Sequence, residues 1–406
     1  RKLLLWISHM SYEFDKDPQV KEFALRVRKF INDEVIPHEP ELNPDSHGIN
    51  PDLRLVLQAK ARTANVFAPT APTEFGGHGF NHVAQAVILE ESGRSLLGPT
   101  AMNCAAPDEG NILLLHKIAT PEQRTKYLAP LSRGEIRSSF SMTEPSPGAG
   151  ADPNLLLTSA EKTKSGWVIN GNKWLITGAD GAGFSIVMAK TSGGATMFLV
   201  DADNPGMKVV RSLETLDSAF TGGHGVVDFT NCEVSDDAVL GQVDEGFVNA
   251  QVRLGPARLT HCMRWLGAAR RAHESAVDYA AQRPMFGTEL SSLGMAQQMI
   301  ADNEIDIAAC RALIHRAAWI LDQGLPARAE TSIAKTFVAE ATFRIVDRSM
   351  QLCGAKGTTS ELPIAHIFRD IRPFRIYDGP SEVHRWSISR RSVRHSQAGK
   401  LPGDWA

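Results

Sequence analysis

Cysteine is scarce and unpaired here. Cys104, Cys232, Cys262, Cys310 and Cys353 are scattered, with no Cys-x-x-Cys. That spacing gives no disulfide framework, and it predicts reduced, buried thiols in a reducing compartment. None sits in a nucleophile motif, so thiol catalysis is not expected. A charge excess is also missing: 43 Lys and Arg stand against 46 Asp and Glu, a net charge of −3. No nucleic-acid footprint or attraction to an anionic membrane follows. The apolar runs are too short to span a bilayer. Internal repeats and low-complexity tracts are absent. The start, Arg1 to Met10, lacks the long apolar region and small-residue cleavage site of a secretory signal. Ser8-His9-Met10 reads as a tag scar, so residues 1–10 are set aside and no transit peptide is visible.

What is present is a change of period along the chain. Apolar residues at helical spacing run from Gln19 to Val35, Asp52 to Thr63, His82 to Ser92, Gly110 to His116 and Glu122 to Ser132. The last begins with Thr120 as cap and Pro121 at the first position. Residues 11–136 are therefore an N-terminal helical domain. From Arg137 the segments shorten and fill with Val, Ile, Thr and aromatics: 138–142, 155–161, 167–170, 173–177, 184–190, 196–201, 207–210 and 225–229. Ile169-Asn170-Gly171-Asn172-Lys173 reads as a hairpin. Residues 137–245 are a middle β domain. Residues 246–396 return to helix, with long Ala-rich stretches at 257–282, 290–323 and 328–353, the material of a bundle, and 397–406 form a tail. The fold class is α+β, multi-domain: an N-terminal helical domain, a middle β-barrel-like domain and a C-terminal four-helix bundle.

The chemistry concentrates on Phe374 to Arg385. Asp378-Gly379 is a turn signal and Pro380 suits a helix start. A carboxylate there can lie in an apolar pocket, which would raise its pKa toward that of a useful base. Two further stretches, Phe140 to Pro145 and Trp174 to Ala179, end strands with hydroxyls and small residues. They can form rims facing a polar ring or phosphate. His78 and His82 have helical ligand spacing but no third ligand, so no metal is expected. Glu90 and Glu91 are read as solvated or capping charges.

Together these motifs resemble the acyl-CoA dehydrogenase family of flavoproteins. Met142-Thr143-Glu144-Pro145, Lys173 to Thr177, Gln282 to Gly287 and Ile376 to Gly379 match its signatures in order, over about Ser11 to Arg394. The resemblance implies FAD, an acyl-CoA substrate, α,β-dehydrogenation to the trans-2-enoyl-CoA, and transfer of electrons to an electron-transfer flavoprotein. It also implies a homotetramer, or a dimer. It places Asp378 as the base. Phe140, Met142, Thr143 and Thr177 would line the isoalloxazine. Arg283 and Phe286 would reach a neighbouring subunit's FAD, with Gln351 and Gly354 beside its adenosine half. Arg258, Tyr377 and Gly379 would lie at the substrate, with Glu109 a candidate for the far end of the acyl pocket. Neither nucleic acid nor a membrane span is expected, and the location would be the bacterial cytoplasm or an organelle matrix.

Three departures stand out. The base is usually Glu, and Asp378 is shorter by one methylene. Pro380 replaces a frequent Thr. The loop from Pro145 to Asp152 is long, with Ala151 in place of a phosphate-side serine. Asp at the base is also found in a branch fused to a kinase-like domain in animals, which implies long, branched, 4-hydroxy or 4-phosphoacyl substrates. An oxidase on this fold, similar to nitroalkane oxidase, and a non-catalytic flavin-binding scaffold are the alternatives.

Overall fold

The computed structural model describes residues 17–42 and 48–400. The proposed scar, the start of the first domain and the last residues of the tail lie outside them. The helical part opens with α1 (Pro18–Phe30), capped by the Asp17 side chain on Gln19 N–H at 2.8 Å. Then come α2 (Pro51–Thr63), α3 (His82–Ser92) and α4 (Asp108–Ile118). The stretch from Glu122 to Ser132 is helical throughout but widens to a π turn at Arg124–Leu128. Thr120 and Gln123 form a reciprocal capping box at its start.

Eight strands follow: β1 (Ser138–Ser141), β2 (Ser159–Lys162), β3 (Trp167–Thr177), β4 (Phe184–Lys190), β5 (Ala195–Asp201), β6 (Met207–Ser212), β7 (His224–Val234) and β8 (Val239–Leu240). They form one sheet in the order β6-β7-β3-β2-β4-β5-β8, with β1 parallel to β4. Alternation decides which face meets what. Phe184, Ile186 and Met188 of β4 join the core shared with the helices. Val187 and Ala189 turn the other way, onto Trp167, Ile169, Val227 and Phe229. The curled sheet thus has its own interior and an outer face buried against helix.

Two strand expectations are corrected. Residues 169–173 do not reverse: β3 runs straight through, with a register shift against β7 between Ile169 and Gly171. A Cβ at Gly171 would lie 2.4 Å from Thr158 Oγ1, so this glycine serves a bulge and a close crossing, not a turn. The strand expected from Leu155 begins only at Ser159. The Glu144 carboxylate takes the Leu157 and Thr158 N–H groups, both at 2.8 Å, and removes them from any ladder.

The C-terminal bundle contains α5 (Gly246–Gln282), α6 (Gly294–Asp322), α7 (Arg328–Cys353), α8 (Ile364–Ile371) and α9 (Ser381–Gln397). α5 starts well before Ala257 and carries Pro256 inside it. Proline forfeits one backbone hydrogen bond there. Buried Ala250, Leu254, Ala257 and Leu259 on both sides outweigh the loss.

Glu90 and Glu91 are not solvated or capping. Both are buried in an ion network: Arg270 pairs with both, Arg311 reaches Glu90 at 2.6 Å and Arg28 reaches Glu91 at 2.6 Å. The guanidiniums come from elements far away in sequence, which is why the pairing was hidden. His82 Nδ1 lies 2.7 Å from Asp322 Oδ1. All five cysteines are buried and free, and burial pushes the Cys104 and Cys262 thiols up to about 12. Among the described residues no helix is long and apolar enough to cross a membrane.

Candidate active site

The segment before α9 turns tightly. Asp378 and Gly379 both have positive φ, 54° and 95°. Asp tolerates that region better than most residues, and Gly enters it freely. A Cβ at Gly379 would lie 2.7 Å from His384 Nε2, so a larger residue would displace His384. Three side chains hold the turn by its carbonyls. Arg258 Nε donates to Asp378 O at 2.8 Å. Lys335 Nζ donates to Phe374 O and Gly379 O, both at 2.8 Å. His384 Nε2 lies 3.2 Å from Asp378 O. Arg258 stands on α5 and Lys335 on α7, so the two long helices clamp the loop from within the bundle.

The Asp378 carboxylate is partly buried, and its Oδ2 lies 3.4 Å from His261 Nε2. Burial pushes the carboxyl upward, but the surrounding cations Arg253, Arg258 and Lys335, with His261, hold it below the usual value. This reverses the upward shift expected from an apolar pocket. His261 itself is driven down to about 3 by burial and the nearby Arg264, so it stands neutral. The cations therefore carry the effect on Asp378. Burial also lowers Lys335, to about 8. The Tyr377 hydroxyl receives the Trp265 indole N–H at 2.5 Å, and burial raises its pKa well above the ordinary value.

His261 joins this carboxylate to a cleft of about 410 Å³, mouth included. His261, Arg264, Trp265, Leu96, Phe220 and Ala219 are on its walls. Glu109 does not face it directly. Buried behind Arg264, it accepts from Thr260 at 2.8 Å and lies 3.4 Å from Arg264 Nη1.

The two hydroxyl rims lie side by side. Trp174 N–H donates to Thr143 O at 3.0 Å, tying the exit of β1 to β3. Behind them, buried Lys173 donates to Met142 O at 3.0 Å and to Glu144 at 2.9 Å. Burial pushes Glu144 up, but its partners Thr158, Lys173 and Leu157 bring it down to about 2, while burial lowers Lys173 to about 8. The rim threonines are partly exposed, and the large apolar side chains Leu155, Leu157, Trp174 and Leu175 stand open beside them. Open apolar surface next to hydroxyls suits one face and one edge of a planar, polar ring. The residues present therefore fit a flavin. Thr177 Oγ1 is 3.0 Å from His224 Nδ1, and His224 Nε2 is 3.1 Å from Asp217 Oδ2. With the Nε2 proton assigned to the Asp217 bond, Nδ1 accepts the Thr177 hydroxyl proton. Phe140 carries the Arg253 guanidinium over its ring at 4.2 Å.

Arg283, Phe286, Gln351 and Gly354 lie elsewhere. All four are exposed, two in the bend after α5 and two at the end of α7. The sequence reading missed His261, Arg264, Lys335 and the Glu144–Lys173 pair. Their signal is a charged or imidazole side chain on the apolar face of an Ala-rich helix, or at an inward strand position.

Three acyl-CoA dehydrogenase family models match this chain: the N-terminal domain over residues 17–135, the middle domain over 139–232 and the C-terminal domain over 244–393. Mycobacterium tuberculosis FadE2 is 34% identical, and the alignment covers 95% of this chain and 98% of that protein. Acyl-CoA dehydrogenase family member 11 of Gallus gallus is 34% identical over 91% of this chain, which spans about half, 50%, of that protein. Among solved structures, butyryl-CoA dehydrogenase of Megasphaera elsdenii superposes with a TM-score of 0.85 at 25% identity, covering 94% of this chain and 100% of that one. The chain belongs to the acyl-CoA dehydrogenase family and is an FAD-dependent oxidoreductase.

Proposed function

We propose that the chain converts an acyl-CoA thioester to its trans-2-enoyl-CoA, with Asp378 as the base that removes the α-proton. The observation that carries this reading is the anchored, ionised Asp378 carboxylate, joined through His261 to a mostly apolar cleft. FAD, held along the Thr143 and Thr177 rims, would supply the acceptor for the β-hydrogen and its electron pair. The chain's part is to hold the base, exclude water and steady charge. The Asp378 N–H would donate to the thioester carbonyl, favouring the enolate-like charge that develops there. Arg258 fixes the following peptide through the Asp378 carbonyl, which steadies the residue that carries this N–H, and Gly379 permits the turn. Tyr377, kept neutral by burial, walls the substrate.

Phe140, Met142, Thr143 and Thr177 would border the flavin ring. Arg283, Phe286, Gln351 and Gly354 are exposed, which suits contact with a neighbouring subunit's FAD in a homotetramer or dimer. An electron-transfer flavoprotein would take the electrons onward, in a bacterial cytoplasm or an organelle matrix. The Asp base favours the branch that takes long, branched, 4-hydroxy or 4-phosphoacyl chains. It equally suits an oxidase similar to nitroalkane oxidase, which would release peroxide during turnover.

Anaerobic titration of the yellow holoenzyme with acyl-CoAs of differing length and branching tests the reading. Bleaching of the flavin absorbance is expected. No bleaching with any thioester would remove the proposal, and peroxide in stoichiometric yield under air would favour the oxidase.

A further inference from the structure

A chain of polar side chains runs inward from the Thr177 rim. Thr177 closes β3 and His224 opens β7, and the two are direct cross-strand partners. The Thr177 hydroxyl meets His224 Nδ1 at 3.0 Å, and His224 Nε2 meets Asp217 Oδ2 at 3.1 Å. Both nitrogens of the imidazole are thus taken. Its surroundings hold the ring in place. Phe220 lies edge-on to it, 5.5 Å between centroids. Backbone pairing continues on either side, from Gly178 N–H to Gly223 O and from Leu213 N–H to His224 O, each at 2.8 Å. The loop that carries Asp217 is fixed from the bundle, where Asp370 of α8 accepts the Ser218 N–H at 3.0 Å. His224 and Asp217 are 9% and 6% exposed. Proton removal by Asp378 uses neither of them.

The direction of each hydrogen bond in this chain follows from charge. Asp217 and Asp370 stand within electrostatic reach of each other. Burial pushes Asp370 up to about 7, and the Asp217 charge adds to that rise. Burial acts upward on Asp217 as well, but the His224 contact and Thr215 hold it below the usual carboxylate value. Asp217 is therefore the carboxyl that stays ionised, and a carboxylate only accepts. It fixes an imidazole proton on Nε2. In the neutral ring Nδ1 is then an acceptor, so the hydrogen bond at 3.0 Å must use the Thr177 proton. A hydroxyl has a single proton. With it committed inward, Thr177 turns only lone pairs to the rim.

We propose that His224 and Asp217 are positioning residues that aim the Thr177 hydroxyl, so that the flavin edge meets a hydrogen-bond acceptor there and not a donor. The proposal rests on the reading that sets Thr177 at the flavin. Its consequence is thermodynamic. Reduction adds N–H groups to the edge of a flavin ring and removes lone-pair acceptors from it. An acceptor on the protein therefore matches the reduced ring better than the oxidised one. The pair draws the flavin potential upward, which favours withdrawal of electrons from a substrate. A hydroxyl turned the other way, with its proton toward the ring, would favour the oxidised form instead.

The test is the midpoint potential of the flavin-loaded holoenzyme, read by anaerobic reduction against a reference dye with no thioester present. It is run at about pH 8, where a free imidazole is neutral. Asp217→Asn is the diagnostic variant. Its amide N–H can donate to His224 Nε2, move the imidazole proton to Nδ1 and so turn the Thr177 proton outward. The midpoint should fall by at least about 30 mV, a tenfold change in equilibrium for a two-electron couple. Sign separates this from mere loss of charge, since removing a nearby negative charge would ease reduction and raise the midpoint. His224→Phe, which releases the Thr177 hydroxyl, should also lower it, and decides the matter if Asp217→Asn does not retain flavin. Thr177→Val completes the cycle: in that background Asp217→Asn and His224→Phe should no longer lower the midpoint. A midpoint that falls in neither variant, or falls equally in the Thr177→Val background, overturns the proposal. If Thr177→Val alone keeps the wild-type midpoint, Thr177 does not touch the ring, and its placement falls together with the proposal. None of these readings needs a thioester, so they are separate from the failure of acyl-CoA to bleach the flavin.

Discussion

At the scale of single residues, Asp378 shows how little of an electrostatic environment a sequence discloses. The Asp-Gly turn was legible, since few residues other than these accept consecutive positive φ values. The direction of the pKa shift was not. Arg253, Arg258 and Lys335 reach Asp378 from helices far upstream, Arg258 from 120 positions away. The carboxyl is held below its usual value, so it is the base form that exists at neutral pH. Activity that needs that form is lost only as pH falls through the lowered pKa, beneath about 3.9. His261, at about 3, does not titrate above this either. The free-enzyme profile, kcat/KM against pH, should accordingly be flat between about pH 5 and pH 7. An inflection near neutrality would mean that the base is another group. Lys335 tests the anchoring. Lys335→Met strips two loop carbonyls of their donor, each worth about 1–3 kcal/mol if left buried and unpaired. Flavin content should survive while the rate of flavin reduction drops at least about tenfold; an unchanged rate would show that the loop needs no such tether.

At the scale of elements, the loop leaving β1 is built on one buried ion pair. Glu144 gathers three backbone N–H groups, from Ala149, Leu157 and Thr158, and the ammonium of Lys173. The sequence offered Met-Thr-Glu-Pro and Lys-Trp-Leu-Ile-Thr as separate motifs. Only the fold shows them joined, because β1 and β3 meet across a curled sheet. The misplaced start of β2 and the absent hairpin at 169–173 share a cause. Side-chain and close-packing demands at Glu144 and Gly171 overrode local turn and strand preference. Glu144→Gln leaves Lys173 buried without its counter-charge and should cost about 3–5 kcal/mol. A thermal melt would show it as a lowered midpoint, with earlier flavin release. A midpoint equal to the wild type would show that the pair contributes nothing. Because the folded Glu144 titrates at about 2, its contribution is present above its usual range near 4.5 and is lost as pH falls toward 2.

At the scale of the whole molecule, the order helices, sheet, helices could be read from the change of hydrophobic period alone. Packing between those parts could not. The cleft beside Asp378 brings Leu96, Ala219 and Phe220 against His261, Arg264 and Trp265 of α5, and no local pattern links them. Assembly is likewise a property of surfaces. Phe286 is 90% exposed and Arg283 is exposed beside it, both in the bend after α5. If a partner's FAD and bundle cover them, Arg283→Ala combined with Phe286→Ala should lower FAD retention and shrink the particle in size-exclusion chromatography with light scattering. A variant with the wild-type mass and full flavin content would locate the interface elsewhere.

The account stands or falls on the proton taken by Asp378. Its most direct test is stopped-flow, anaerobic reduction of Asp378→Asn by a thioester that bleaches the wild type, compared at equal flavin content. The amide keeps the size and position of the side chain but cannot accept the α-proton. Reduction should slow by about a thousandfold, within the range a lost general base gives, while the oxidised flavin spectrum stays unchanged. Reduction at the wild-type rate would contradict the account.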